Sequence, residues 1–109
     1  MMDIEIQTQD RFLAFELLGK KSVSLHDSVD LPGNAKLSYN GSVIRKSFGV
    51  PEIVNFSVTF GSGVAAGLVA NWLYDKLKDK TKKITINRRE IQLDKDEIKK
   101  IIEESIKIK

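Results

Sequence analysis

The segment Ile53–Tyr74 contains no charged residue over 22 positions, and it constrains the fold more than any other part of the chain. By length it could cross a bilayer, since about 20 apolar residues suffice for a helix. Apolar residues, however, occupy every second position of its first part: Val54, Phe56, Val58 and Phe60. This alternation is the period of a half-buried strand. After Gly61-Ser62-Gly63 the spacing becomes helical over Val64–Lys78, so the segment predicts a strand, a glycine turn and a buried helix.

The composition predicts one folded domain over residues 1–109. The chain is 41% hydrophobic and 30% charged, which is ordinary for a globular protein large enough to bury a core. It contains no cysteine, which excludes disulfides, thiolate metal ligands and cysteine nucleophiles. The first residues, Met1-Met2-Asp3-Ile4-Glu5, lack the basic start and apolar run of a secretory signal. We therefore expect a cytoplasmic location.

Two interpretations fit the segment Asp10–Leu18. A helix would begin at the N-cap Asp10 and end at Gly19, with the apolar residues 12, 15 and 18 on one face. A strand would instead place the apolar residues 13, 15 and 17 on one face. We favour the helix because aspartate is a preferred N-cap residue.

Strand and turn signals occupy the rest of the N-terminal half. Asp3–Gln7 alternates polar residues with isoleucines and predicts a short strand, and Val23 and Leu25 can extend another before a turn at Leu31–Asn34. Asn40-Gly41 suits a tight hairpin turn, because both of its central residues need positive φ. Such a hairpin would place Leu37 opposite Ile44.

The C-terminal third predicts a second hairpin and an amphipathic helix. Pairing across Asn87–Glu90 would set Ile86 against Ile91 and Ile84 against Leu93. Asp94 is then the N-cap of a helix, with Glu97 in the capping-box position. Isoleucines form its apolar stripe at positions 98, 101, 102 and 106.

Together these signals predict an α+β fold. A small, mostly antiparallel sheet would be packed by one buried Gly/Ala-rich helix, over residues 64–78, and by one amphipathic C-terminal helix. No repeat, linker or low-complexity segment divides the chain.

The Gly/Ala-rich helix has one side made of small residues. Ser62, Ala66 and Ala70 recur every four positions, as do Gly63, Gly67 and Asn71, so another backbone can approach this side closely. A helix that is apolar nearly all round is buried on two sides. The thin side therefore meets either the last helix or another molecule, such as a second copy in a homo-oligomer. The residues predicted to make such a contact are Gly63, Gly67, Ala70, Asn71 and Tyr74.

Basic residues are concentrated in the segment 76–89, which carries seven bases against one acid, whereas residues 1–35 carry six acids against three bases. Such asymmetry can indicate an anionic partner such as nucleic acid. The candidate anion-binding residues, which we call the basic set, are Lys78, Lys80, Lys82, Lys83, Arg88 and Arg89. A solvated lysine-rich helix end explains the same composition, and the aromatic residues are placed for the core rather than for base stacking.

The glycine turn before the helix allows a further hypothesis. Gly61-Ser62-Gly63 follows a strand and opens a helix, as phosphate-binding loops do. The spacing is G-x-G-x-x-x-G rather than G-x-G-x-x-G, and the preceding strand alternates instead of being continuously apolar. Peripheral membrane association through residues 61–78 is another alternative, since Trp72 and Tyr74 precede lysines as in an interfacial belt.

No residue pattern predicts catalysis. His26 is the single histidine, beside Asp27, and no spacing places a nucleophile and an orienting group around it. Ser62 has glycines at the adjacent positions and not two residues away as a nucleophile elbow requires. The sequence therefore predicts a non-enzymatic protein-interaction module, without a cofactor or a metal, that associates with its own copies. Anion or nucleic-acid binding is the alternative.

Overall fold

The computed structural model describes residues 1–10, 12–43 and 51–107. Within them, six strands and three helices follow one another along the chain. The strands are β1 (Met2–Thr8), β2 (Ser28–Leu31), β3 (Ala35–Val43), β4 (Glu52–Phe60), β5 (Lys83–Ile86) and β6 (Arg89–Ile91). The helices are α1 (Leu13–Leu18), which follows β1, α2 (Ala66–Leu77), which follows β4, and α3 (Lys95–Lys107), which follows β6.

The six strands form one antiparallel sheet in the order β2-β3-β4-β1-β5-β6. The first strand of the sequence thus lies at the centre, between β4 and β5. Strand β4, which is uncharged after Glu52, is interior, between β3 and β1. Its alternation places apolar side chains mainly on one face of the sheet and polar side chains mainly on the other. These observations confirm the α+β prediction and the largely antiparallel sheet.

The core lies between one face of the sheet and the helices. Except for Ile53, the apolar residues of β1, β4 and β5 point to this face, where they form one buried cluster with α1, α2 and α3. From α2 the cluster takes Val69, Ala70, Leu73 and Leu77. The other face of the sheet presents polar residues, such as Glu5 of β1 and Asn55 of β4. An antiparallel sheet tolerates one face in water because its backbone groups are paired within the sheet.

The start of α2 is fixed by the turn between β2 and β3. The Ala65 N–H donates to the Gly33 carbonyl at 2.8 Å, and the Gly61 N–H donates to the Asn34 carbonyl at 2.9 Å. Gly33 has φ +90°, and a Cβ built on it would lie 2.8 Å from the Ala65 carbonyl oxygen. Only glycine fits such a position, because a side chain would both strain the backbone and overlap the helix.

The predicted turn at Asn40-Gly41 is wrong. Both residues lie within the single strand β3, between Tyr39, which pairs with Phe56, and Ser42, which pairs with Val54. Two residues on β3 therefore oppose one on β4, which is a β-bulge, and Gly41 adopts φ +106° there. Leu37 pairs with Val58 rather than facing Ile44, which lies outside the described residues.

The predicted register of the β5–β6 hairpin is also wrong. Ile84 pairs with Ile91 and Ile86 with Arg89, so the loop is the two-residue turn Asn87-Arg88. Both residues have positive φ, +51° and +66°, as a type I′ turn requires. Leu93 lies beyond the paired strand and packs against the core.

The helix predictions are confirmed in position, with two differences at α1. The helix begins at Leu13, although the Asp10 carboxylate still accepts the Phe12 N–H at 2.9 Å, and it ends at Gly19 in the left-handed conformation. It buries Leu13, Leu17 and Leu18, while Phe12 is exposed. In α3, the Asp94 carboxylate accepts the Glu97 N–H at 3.2 Å, as predicted for its N-cap.

The strand expected at Val23 and Leu25 does not form. The strand before the turn is β2, Ser28–Leu31, and Leu25 is exposed. The residues ahead of β2 approach β3 through two backbone hydrogen bonds: His26 N–H donates to the Tyr39 carbonyl and Tyr39 N–H donates to the Asp27 carbonyl, both at 2.8 Å.

Candidate functional site

The accessible side of α2 is the best-formed candidate for a contact surface. Val69, Leu73 and Leu77 recur every four positions and face the sheet, so residues on the opposite side of the helix point outward. We call Gly67, Leu68, Asn71 and Asp75 the outer strip of α2. Leu68 is 53% exposed, and Asn71 and Asp75 are also exposed. The strip therefore combines the large apolar side chain of Leu68 with the neighbouring Gly67, which has no side chain.

Gly67 has no side chain, and no contact within the described part of the chain requires a glycine at this position. A Cβ built on Gly67 meets no heavy atom within 4 Å. The interpretation that this glycine allows close packing inside the molecule is therefore not supported. The space beside it is open to another molecule.

The five predicted contact residues do not share one accessible surface. Ala70 is 2% exposed and belongs to the core. Tyr74 is half-buried, and the Lys95 ammonium of α3 lies 5.2 Å from the centre of its ring. Gly63 is exposed but lies in the turn before α2, with φ +69°. Gly67 and Asn71 remain on the outer strip, so the thin side predicted from the sequence is divided between α3 and the surface.

The thin side predicted from the sequence does not include Leu68, although this leucine belongs to the outer strip. It projects near the β2–β3 turn, where its Cβ lies 3.1 Å from the position that a Cβ would take on Gly33. The signal that could have found it is the phase of the helix. The spacing of Val69, Leu73 and Leu77 puts Leu68 about 100° away from the first of them.

The basic set is largely neutralised by carboxylates. Lys83 pairs with Glu90 at 2.9 Å and Arg89 with Glu104 at 3.4 Å. Lys78 lies 4.0 Å from Asp75. Lys80 pairs with Glu16 and lies 3.9 Å from Asp10.

Within the described ranges, Lys82 and Arg88 are the members of the basic set without a carboxylate within 4.0 Å. They lie at opposite ends of β5, because Lys82 precedes the strand and Arg88 is in the turn after it. Four strand residues separate them, a span of roughly 13 Å or more at about 3.3 Å per residue. The structure therefore does not bring the basic set together as one cationic patch.

The backbone around the glycine turn is partly engaged in contacts within the chain. The N–H of Gly61, in the turn, and the N–H of Ala65, just after it, donate to carbonyls of the β2–β3 turn. The Asn34 side-chain amide donates to the Ser62 carbonyl. The strand that follows α2 does not pair with β4, because β1 lies between them, so the compact β-α-β unit of a dinucleotide site is not formed.

Comparison of the chain with known proteins identified no relative. The chain matches no protein-family model, and no curated protein or solved structure matches it. Over the residues that the structure describes, no helix is long and apolar enough to cross a membrane. The same part of the chain contains no group of three or more metal-ligating side chains of the histidine, cysteine, aspartate or glutamate type.

Proposed function

We propose that this chain is a non-enzymatic protein-interaction module whose partner is a second copy of itself, and that the contact is the outer strip of α2. One observation carries the proposal: Leu68 is 53% exposed beside Gly67, where the space for a side chain is empty. An exposed leucine supplies apolar area, and the neighbouring glycine lets a second backbone come close to it. Helix pairs with small residues at their contact approach to an axis separation of about 8 Å.

In an antiparallel pair of α2 helices, the polar groups of the outer strip would find partners on the other copy. With Asn71 at the twofold axis, Gly67 of one copy faces Asp75 of the other, because both lie four residues, or about 6 Å, from Asn71. The amide of Asn71 both donates and accepts, so it can hydrogen-bond to its own copy across the axis. A symmetric arrangement of this kind is the commonest form of homo-oligomer.

The charges of α2 also favour the antiparallel arrangement. Its first turn carries no charged residue and no side-chain cap, whereas Asp75 lies near its C-terminal end. A carboxylate is stabilised beside the N-terminus of a helix, where free N–H groups carry partial positive charge. In the antiparallel pair, each Asp75 approaches the N-terminal turn of the partner helix. A parallel pair would instead place the two Asp75 carboxylates next to each other.

The test is molar mass in solution, measured by size-exclusion chromatography with light scattering over a tenfold range of protein concentration. The wild-type chain should show a dimer that dissociates on dilution. Gly67→Leu should remain monomeric, because its new side chain fills the space that the second backbone needs. The matched control is Glu103→Leu, which puts the same side chain on the exposed side of α3. A monomeric wild-type chain, or a Gly67→Leu variant as dimeric as the control, would contradict the proposal.

Nucleic-acid binding is the alternative proposal, supported by the two basic residues that lack a carboxylate partner in the described ranges, Lys82 and Arg88. It predicts that reversal of charge at Arg88 and Arg89 removes binding to a single-stranded oligonucleotide while the molar mass is unchanged. Binding should also weaken steeply with salt, because phosphate contacts release counterions. Unchanged oligonucleotide binding after charge reversal would exclude this segment.

A further inference from the structure

The open face of the sheet contains a depression of about 260 Å³, which is lined by six polar residues together with Ile4 and Phe56. We call it the polar depression. Its polar lining residues are Asp3, Glu5, Asn40, Asn55, Thr85 and Arg88. They come from β1, β3, β4, β5 and the β5–β6 turn, so the sheet brings together residues from distant parts of the sequence. This face is opposite the one that α2 covers.

The register of the sheet builds the depression around Glu5. Glu5 pairs with Asn55 on one side and with Thr85 on the other, so the three side chains form a row across the sheet. Asp3 lies two residues earlier on the same face of β1. Asn40 is part of the β-bulge of β3, a device that redirects side chains near binding sites.

The charges of the polar depression do not neutralise each other. On the same face, Lys36 lies 3.8 Å from Asp30 and Lys83 lies 2.9 Å from Glu90. Among the described residues, by contrast, no ion pair within 4.0 Å includes Asp3, Glu5 or Arg88. Two carboxylates and one guanidinium thus line one depression without pairing, which leaves each of them available to a ligand.

Arg88 occupies a backbone position that favours glycine. It is the second residue of the two-residue turn and has φ +66°, where a side chain costs free energy. Asn-Gly is the preferred sequence for such a turn. An arginine here is unfavourable for the hairpin, and it is one of the residues that line the depression.

We propose that the polar depression binds a small zwitterion with a net positive charge, of the class of basic α-amino acids such as lysine. The guanidinium of Arg88 would hold the carboxylate of the ligand by paired hydrogen bonds. The carboxylates of Asp3 and Glu5 would hold its two ammonium groups, and the amides of Asn40 and Asn55 would complete the hydrogen bonding. Such a ligand carries one negative and two positive charges, the complement of the depression.

The experiment is a titration of the 15N-labelled protein with L-lysine, followed by NMR. The backbone amides of Asp3, Glu5, Asn55 and Thr85 should shift in a saturable manner. Lysine amide, which lacks the carboxylate, and Nα-acetyl-lysine, which lacks one ammonium, should each bind about tenfold or more weakly, since each loses a charge-assisted contact. Equal binding of all three would refute the zwitterion assignment, and the absence of saturable shifts would refute the site.

Three variants separate binding from folding. Arg88→Gly should weaken lysine binding about tenfold or more, while it replaces the turn with the preferred Asn-Gly sequence and so does not unfold the hairpin. Glu5→Gln should have a similar effect on lysine binding. Lys36→Gln, which changes a charge on the same face outside the depression, should bind lysine as the wild type does. If Arg88→Gly binds as tightly as Lys36→Gln, the proposal is overturned.

This inference is independent of the proposed self-association. Gly67→Leu should abolish dimer formation and leave the lysine titration unchanged, because the outer strip lies on the other side of the sheet. A Gly67→Leu variant that lost lysine binding would place the ligand somewhere other than the polar depression.

Discussion

Gly33→Ala tests the contact that fixes the start of α2. The methyl group would lie 2.8 Å from the Ala65 carbonyl oxygen, 3.1 Å from the Leu68 Cβ and 3.3 Å from a Val69 methyl. The first of these is a backbone atom, and it accepts the N–H groups of Leu68 and Val69 at 3.1 and 3.2 Å. It therefore cannot move aside as the end of a flexible side chain would. The substitution has to displace the first turn of the helix.

Two contributions add to the cost of Gly33→Ala. The positive φ of Gly33 costs an alanine about 1–2 kcal/mol. Overpacking against the helix costs about 1–3 kcal/mol more. The sum, about 2–5 kcal/mol, is a large part of the total stability of a domain of this size.

Gly19→Ala is the matched control for the backbone term. Gly19 also has a positive φ, +65°, but a Cβ built there meets nothing within 4 Å. It should therefore lose only the backbone contribution of about 1–2 kcal/mol. The difference between the two variants, about 1–3 kcal/mol, measures the contact between the β2–β3 turn and α2.

The assay is equilibrium unfolding in urea, followed by circular dichroism, with the dependence of the free energy of unfolding on urea fitted for each variant. The two variants should have the same slope and different midpoints. If Gly33→Ala is no less stable than Gly19→Ala, the turn does not press against the helix, and the account of why α2 starts at Ala66 is wrong.

Substitutions at three further positions have expected outcomes in the same assay. Thr8→Val should destabilise the protein by about 1–3 kcal/mol. The buried Thr8 hydroxyl donates to the Lys80 carbonyl at 2.5 Å and accepts the Asp10 N–H at 3.0 Å, and valine can make neither bond. An unchanged midpoint would mean that water replaces both bonds. Asp94→Ala should cost about 1 kcal/mol through loss of the α3 cap, whereas Asp94→Asn should cost less. Arg88→Gly should stabilise the β5–β6 hairpin by about 1 kcal/mol, and a loss of stability would contradict the type I′ assignment of the turn.

The period of apolar residues predicted the elements best. The alternation in residues 53–60 and the helical spacing after Gly63 gave β4 and α2 within a few residues, because burial on one face imposes those periods directly. The capping signal at Asp94 located the start of α3 for the same kind of local reason. Position within the sheet was not predictable, since it depends on pairing with residues far away in the sequence.

The turns were predicted less well because the same local signal serves two structures. Asn40-Gly41 fits a hairpin turn and a β-bulge equally, and the choice is made by β4, which pairs with β3 from Ala35 to Val43 on both sides of the bulge. The register of the β5–β6 hairpin was missed for the opposite reason. Arg88 is not a usual residue for positive φ, so no local signal marked the two-residue turn.

The candidate sites, too, could be predicted only in part from the sequence. The thin side of α2 was visible as a four-residue repeat, but its division between Ala70 in the core and Gly67 on the surface depends on how the helix is rotated against the sheet. The polar depression could not be predicted, because its residues come from five separate segments. The distance between Lys82 and Arg88 could not be predicted from the sequence. The two residues are only six positions apart, but the extended strand β5 lies between them.

A disulfide cross-link tests the proposed α2 pair most directly. The chain has no cysteine, so Asn71→Cys introduces a single thiol at the position expected on the twofold axis. Disulfide-bonded residues have Cα atoms about 4.4–6.8 Å apart, and in the proposed dimer only residues close to the twofold axis would come this near to their own copies. Under mild oxidation, Asn71→Cys should form a covalent dimer much faster than Glu103→Cys on the exposed side of α3. Equal rates for the two variants would contradict self-association through the outer strip.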